Sequence, residues 1–173
     1  MEIRHNLHTD MRRAIDEIAD IESRFFEIFG RGGTPFIEPY RCNDADFVAV
    51  CMGSLSYQFR DVVDALRAEG FAVGVAGLRL YRPFPAQAIV EAFSHKKGLI
   101  VFEKALSYGY QGPLFADIKS AMYTAQDPPF VHNYILGLGG REIKTGDLAE
   151  ALRQSCAASA ETAAAPEWIG LKL

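Results

Sequence analysis

The sequence predicts an α/β domain of three layers, in which a mainly parallel sheet carries helices on both faces. Three observations predict this class. Continuous apolar runs of about six residues are typical of strands that are buried on both faces. Segments with apolar residues at helical spacing lie between these runs and predict amphipathic helices. The two patterns alternate four times with short connections, which indicates βαβ units.

The N-terminal segment predicts a helix that ends between Gly30 and Pro35. Such a helix needs an apolar surface to lie on, which is either the chain's own sheet or a partner chain. Its apolar row consists of Ile15, Ile18, Ala19, Phe25, Phe26 and Phe29, with Glu22 in the same row. We divide the chain into an N-terminal helix and linker (residues 1–35), an α/β domain (36–156) and a tail (157–173) with little to bury.

The first strand–helix–strand unit occupies the start of the predicted domain. The apolar run at 47–52 predicts a strand that ends at Gly53, and Ser54 or Ser56 can cap the helix that follows. Residues 71–80 predict the second strand. The inward row of the helix consists of Leu55, Phe59, Val62, Val63 and Leu66.

The rest of the domain repeats this alternation. Pro85 suits the first turn of a short helix, and residues 99–103 predict the third strand. Pro113 opens the next helix, residues 130–136 predict the fourth strand, and Thr145 can cap the last helix. The buried rows of these helices are Ala86, Ile89, Val90 and Phe93; Leu114, Phe115, Ile118, Ala121 and Met122; and Leu148 and Leu152.

Four loops are predicted at the edge where the strands end, which is where open α/β sheets bind ligands. They are residues 53–54, 79–85, 103–112 and 137–141. Gly53 and Ser54 either present N–H groups to an anion or form only a tight turn, the interpretation that we favour. The stretch from Gly137 through Gly139 to Arg141 follows a strand, as a dinucleotide loop does, but it lacks the G-x-G-x-x-G spacing.

Three charged residues on the same edge have two interpretations each. Glu103 ends a buried strand, where a carboxylate is either a tuned acid or base, or a structural partner for a cation or for N–H groups. Because no His or second carboxylate accompanies it, we favour the structural role. Arg79 and Arg82 flank Tyr81 and either clamp a carboxylate or phosphate or pair with an acidic surface on a neighbouring subunit, which we favour.

Composition and charge exclude several classes of protein. The formal charge is −4 and no basic stripe interleaves with aromatic residues, which argues against nucleic acid as a partner. No apolar run reaches about 18 residues, so no membrane span is predicted. Cys42, Cys51 and Cys156 lie far apart, which indicates a reducing compartment and hence the cytoplasm. His5 and His8 share a helical face, but no third metal ligand at suitable spacing accompanies them.

The motifs of common catalytic sites are absent from the sequence. It has no G-x-x-x-x-G-K-[ST] loop, no H-E-x-x-H, no G-x-S-x-G and no cysteine cluster for an iron–sulfur centre. A chain with this core and no reactive constellation is expected to be a scaffold or a partner-binding piece.

Five blocks of sequence, in order, carry a resemblance to a known family. They are Met52-Gly53-Ser54, Leu66-Arg67-Ala68-Glu69-Gly70, the segment from Leu78 to Pro85, the segment from Ser107 to Leu114, and the segment from Gly137 to Glu142. They resemble the C-terminal region of the α subunit of the pyruvate (2-oxoacid):ferredoxin oxidoreductases. The resemblance spans roughly residues 10–153 and implies a fold similar to the transketolase C-terminal domain.

The resemblance implies membership of a larger machine. Such enzymes oxidatively decarboxylate a 2-oxoacid on thiamine diphosphate, pass electrons through iron–sulfur clusters to ferredoxin, and form an acyl-CoA. The family's thiamine motif is absent here, so a non-catalytic, subunit-association domain with no catalytic residue is implied. Thiamine diphosphate, Mg, iron–sulfur clusters and CoA are expected on partner domains or subunits, and ferredoxin is an indirect partner. This chain lacks the Gly-Thr pair common after Ser54, and Glu103-Lys104 replaces the more usual Asp-Arg.

Two alternatives stay open. The chain is alternatively a free-standing CoA- or nucleotide-binding α/β module that uses the loops at Gly53 and Gly137, or the C-terminal domain of a transketolase- or E1-type thiamine enzyme. Saturable binding of CoA or a dinucleotide by the isolated chain would identify the first. The electron acceptor of the partner chains would identify the second.

Overall fold

The computed structural model describes residues 1–157 and 165–172, which form a six-stranded sheet and five α-helices. The strands are β1 (Ile37–Tyr40), β2 (Phe47–Met52), β3 (Val73–Leu78), β4 (Gly98–Glu103), β5 (Phe130–Ile135) and β6 (Glu167–Trp168). The helices are α1 (Glu2–Phe29), α2 (Leu55–Ala68), α3 (Ala86–Phe93), α4 (Pro113–Met122) and α5 (Thr145–Ala157), with a 3₁₀ turn at Leu138–Gly140.

The sheet is parallel except at one edge. Its strand order is β1-β3-β2-β4-β5-β6, and only β1, beside β3, runs antiparallel among the described strands. The chain moves outward from β2 to β3 and then returns to β4 on the other side of β2. The strand order therefore reverses between β2 and β4.

Two apolar layers cover the sheet, because alternate side chains of each strand point to opposite faces. On one face α2 and α5 pack against the strands, and Phe59 and Leu152 share a buried cluster with Ala49. On the other face α3 and α4 do the same, and Ile118 shares a cluster with Val50. The predicted three-layer α/β class is confirmed, as are the inward rows of α2, α4 and α5.

Two local expectations are wrong. Ser54 has helical backbone angles, φ −60° and ψ −21°, so its hydroxyl does not cap α2 as an extended N-cap residue would. Instead the Ser56 hydroxyl donates to the Gly53 carbonyl at 2.8 Å. Ala86 is exposed rather than buried, because it starts α3 before that helix turns Ile89 toward the core.

The predicted tail falls partly outside the described residues, which omit 158–164 and 173. Beyond that gap, Glu167 and Trp168 form β6 and pair with Tyr134 and Ile135 of β5. Neither β1 nor β6 is predicted from the sequence, since two to four residues are too few to display a period.

The three cysteines are thiols without disulfide partners. Burial raises the pKa of Cys51 to about 12 and is the main reason that the pKa of Cys156 rises to about 11. Both thiols therefore stay protonated and unreactive at neutral pH. No helix in the described ranges combines the length and the apolar character needed to cross a membrane.

Candidate functional site

The four predicted loops lie at one edge of the sheet, because β2, β3, β4 and β5 are parallel and end there. The loops after β2 and β4 flank the point where the strand order reverses, the usual place for a ligand in such a sheet. The predicted residues divide accordingly: Gly53, Ser54 and Glu103 border that point, Arg79 and Arg82 follow β3, and Gly139 and Arg141 follow β5.

The Glu103 carboxylate lies at the centre of a buried polar cluster and is 2% exposed. Its two oxygens accept the backbone N–H groups of Leu114 at 2.9 Å and Phe115 at 3.1 Å, and the side-chain amide of Asn133 at 2.9 Å. The first two donors belong to the N-terminal turn of α4, whose dipole also favours a negative charge. The carboxylate thus joins the end of β4 to the start of α4 and to β5.

Gly112 completes this cluster. Its N–H donates to the side-chain oxygen Oδ1 of Asn133 at 3.0 Å, and a Cβ at this position would lie 1.8 Å from Glu103 Oε1. Only glycine fits against the carboxylate here. Pro113, the next residue, opens α4 as the sequence predicts.

The electrostatics of Glu103 indicate a structural rather than a reactive group. Burial raises its pKa, while the Leu114 and Phe115 N–H groups and Asn133 act in the opposite direction. Three N–H donors occupy three of the about four acceptor positions of the carboxylate, and the buried group offers little access to a ligand. The contacts favour the role of N–H acceptor over that of acid or base.

Both predicted arginines find acidic partners within the chain. Arg79 donates from Nη1 to Glu22 Oε1 and to the Thr34 carbonyl, each at 2.6 Å. Arg82 donates from Nη2 to Asp117 Oδ2 at 2.7 Å. Within the chain, α1 brings Glu22, and α4 brings Asp117, beside the loop after β3, while pairing of these arginines with a neighbouring subunit stays a prediction.

Gly53 and Ser54 form a tight strand-to-helix turn. Gly53 has a φ of 65°, which favours glycine. Its carbonyl accepts both the backbone N–H of Ser56, at 3.1 Å, and the Ser56 hydroxyl. These contacts agree with a turn whose polar groups serve the fold.

The loop after β5 is more open. Gly137, Gly139 and Gly140 have φ values of 66°, 62° and 74°. A Cβ on Gly139 or Gly140 would meet no atom within 4 Å. Beside the loop lies a cavity of about 630 Å³ whose lining includes Gly139, Arg141 and Lys144. This volume lies in the range of small-molecule sites.

The helix α1 reaches the rest of the chain near its C-terminal end. Glu22 accepts the Arg79 guanidinium and the Gly33 N–H at 3.1 Å, and the Arg79 bond holds the pKa of Glu22 below its ordinary value. No residue of α1 is buried. Several residues of the predicted row, including Ile15, Ile18 and Phe25, are only half-buried.

A second apolar row on α1 was missed by the sequence analysis. Ile3, Leu7, Ile21 and Ile28 are 83%, 53%, 60% and 72% exposed, and we call them the exposed α1 face. Leu7, Ala14, Ile21 and Ile28 recur at every seventh residue, the spacing of a helix–helix seam. That period is the signal that could have found the face.

Metal ligands do not cluster in the described chain. Within residues 1–157 and 165–172, no group of three or more His, Cys, Asp or Glu side chains could hold a metal ion. His5 and His8, the predicted helical pair, are both exposed on α1.

Comparison with known proteins decides the family. The model of the family described as pyruvate:ferredoxin oxidoreductase core domain II matches residues 45–148, which is more than half of the chain. The chain belongs to this core domain II family. The match runs from just before β2 into α5, so it covers the parallel strands β2 to β5 and the cluster around Glu103.

Curated relatives agree with the core domain II assignment. The chain is 38% identical to pyruvate synthase subunit PorA of Thermotoga maritima over 136 residues, which cover 79% of this chain and 34% of the relative. It is 38% identical to ketoisovalerate oxidoreductase subunit VorA of Pyrococcus abyssi over 147 residues, which cover 85% of this chain and 37% of the relative. The chain therefore spans less than half the length of these relatives.

A solved structure supports the fold. The 2-oxoglutarate:ferredoxin oxidoreductase from Magnetococcus marinus, with 2-oxoglutarate, coenzyme A and succinyl-CoA bound, superimposes with a TM-score of 0.53 at 18% identity. The match covers 69% of this chain and 19% of that one. At this identity the similarity supports the core domain II fold alone.

Proposed function

We propose that this chain is a non-catalytic, subunit-association domain of a thiamine diphosphate-dependent 2-oxoacid (pyruvate):ferredoxin oxidoreductase, which converts a 2-oxoacid and CoA to acyl-CoA and CO2. The family and the relatives named as subunits of pyruvate synthase and ketoisovalerate oxidoreductase support the enzyme class. The exposed α1 face is the observation that carries the association role.

The geometry of α1 supports an interface. A helix of 28 residues is about 42 Å long. The Glu22–Arg79 pair holds it near its C-terminal end, and Met11 and Ile15 line a cavity together with Phe84. Ile3 and Leu7, by contrast, are exposed. Rows of exposed large apolar residues on one helix are typical of surfaces that bind another polypeptide. The proposed occupant is another domain or subunit of the oxidoreductase.

The carboxyl edge of the sheet supports the proposed non-catalytic role. The buried Glu103 carboxylate accepts hydrogen bonds from Leu114, Phe115 and Asn133, which favours a structural role for it. An Mg ion and an iron–sulfur cluster are held by several carboxylate oxygens or cysteine thiolates, and the described residues bring no such group of side chains together. We therefore assign those groups, and the CoA of the reaction, to partner domains or subunits in a cytoplasmic complex that passes electrons to ferredoxin.

Co-purification tests this role. The full, tagged chain is co-expressed with the polypeptides of the same oxidoreductase that carry the thiamine and cysteine-cluster motifs. We expect the partners to elute with the tagged chain. The double variant Ile21→Ser/Ile28→Ser should lose most of them, because it replaces two exposed apolar side chains of the proposed interface.

The matched control is Asp20→Ser/Glu27→Ser, two exposed changes on the polar side of the same helix. It should retain the partners. Elution of the wild-type chain alone, or equal recovery of partners with both double variants, would contradict the association role.

A further inference from the structure

Most basic side chains of the α/β part are already engaged. Arginines and lysines pair with carboxylates, donate to carbonyls or lie over rings, and this use accounts for Arg41, Arg60, Arg67, Arg79, Arg82, Lys96, Lys97, Lys119 and Arg153. In the described chain from residue 36 onward, the exceptions are Lys104, Arg141, Lys144 and Lys172, whose side chains make none of these contacts.

The unengaged cations surround one loop. Arg141, Lys144 and Lys172 line the cavity of about 630 Å³ beside the loop after β5, which we call the glycine-loop cavity. Lys104 approaches the start of the same loop, with its Cδ 3.4 Å from the position that a Gly137 Cβ would take, but it does not line the cavity. Glu142 and Asp147 also line the cavity, so the cations outnumber the carboxylates. The lining is therefore locally positive, although the whole chain has a formal charge of −4.

The backbone forms part of the cavity wall. Gly139 and Gly140 line it with positive φ, a conformation that favours glycine. No side chain fills the space above Gly139 or Gly140. A ligand can therefore approach the backbone closely.

We propose that the glycine-loop cavity binds the diphosphate group of a small nucleotide-type ligand. Arg141 offers a planar fork that matches two phosphate oxygens, whereas Lys144 and Lys172 supply point charges beside it. The position is also chemically suitable, since the loop lies at the carboxyl edge of the sheet, where open α/β folds bind ligands. This site is independent of the exposed α1 face and does not require the partner subunits.

Calorimetric titration of the full chain with inorganic pyrophosphate tests the proposal. We expect saturable binding with a Kd below about 1 mM at low salt, weakened as salt is added. Arg141→Gln/Lys144→Gln should weaken binding at least about tenfold, because it removes two of the unengaged charges. ADP and CoA, which share the diphosphate but differ beyond it, form two further arms. Tighter binding of ADP identifies a nucleotide as the source of the diphosphate, whereas tighter binding of CoA would move CoA from the partner domains, to which it is assigned above, to this chain.

The matched control is Arg12→Gln/Arg24→Gln, which removes two charges from α1 and should leave the Kd unchanged. Three outcomes would overturn the proposal: no saturable heat up to about 10 mM pyrophosphate, equal weakening by both double variants, or binding of a short poly-glutamate peptide without binding of pyrophosphate. The last would indicate an acidic protein surface as the partner of these cations.

Discussion

The helices α1 and α2 are both amphipathic, yet only one of them buries its apolar row. In α2, which has 14 residues, Phe59 and Leu66 are fully buried against the sheet. In α1, which has 28 residues, no residue is buried. Short loops to β2 and β3 hold α2 against the sheet at both ends, whereas residues 30–36 separate α1 from β1. An amphipathic pattern thus shows that a helix needs an apolar partner, and it does not show whether the sheet of the same chain provides that partner.

The largest loss of stability is expected from a substitution in the buried row of α2. Phe59→Ala should lower the free energy of unfolding by about 3–5 kcal/mol, because it leaves a cavity beneath α2 in contact with Phe102. Urea denaturation followed by circular dichroism measures the change. A loss below about 1 kcal/mol would mean that α2 is no better packed than α1.

The second-largest loss of stability is expected from substitutions in the cluster around Glu103. Glu103→Ala leaves the N–H groups of Leu114 and Phe115 without their acceptor, so we expect a loss of about 3 kcal/mol in the free energy of unfolding. Glu103→Gln keeps one acceptor oxygen and should cost less. Equal stability of both variants and the wild type would contradict the structural role assigned to this carboxylate.

The contributions of Glu103 and Glu22 to the free energy of unfolding should change with pH in opposite directions. Burial raises the pKa of Glu103, so its contribution to stability falls as the pH rises above 4.5 and through the raised value. The Arg79 hydrogen bond lowers the pKa of Glu22, so its contribution is complete above 4.5 and is lost as the pH falls through the lowered value.

Denaturation curves over a pH series measure these slopes. Relative to Glu103→Gln, the wild type should lose stability with rising pH; relative to Glu22→Gln, it should lose stability with falling pH. Difference curves that run flat, or with these signs exchanged, would disprove the assignment of the two carboxylates.

The smallest effect is expected on α1. Ile21→Ser/Ile28→Ser should change the free energy of unfolding of the isolated chain by no more than about 0.5 kcal/mol, because both side chains are already in water. Thermal or urea denaturation without partners measures it. A loss of several times this size would show that the exposed α1 face is covered within the chain.

The sequence predicts the parallel core well and its polar contacts poorly. The run at 47–52 indicates β2 because a strand buried on both faces is apolar throughout. By contrast, β1 has four residues with Pro39 among them, and its pairing with β3 is distant in sequence. Periodicity carries no information about such pairing.

The candidate site shows the same limit. Glu103 could be selected from its position at a strand end, but its partner Asn133 lies 30 residues away, and Glu22 lies 57 residues from Arg79. Only the folded chain brings these side chains together. The same is true of Lys104 and Lys172, which the sequence gives no reason to associate with the glycine loop.

Hydrogen–deuterium exchange of α1, in the isolated chain and in the assembled oxidoreductase, tests the central claim most directly. The account predicts that amides of α1 exchange rapidly in the isolated chain and become at least about tenfold more protected in the assembly, while those of α2 are protected in both. Equal exchange of α1 in the two states would contradict the claim that its apolar face is an interface.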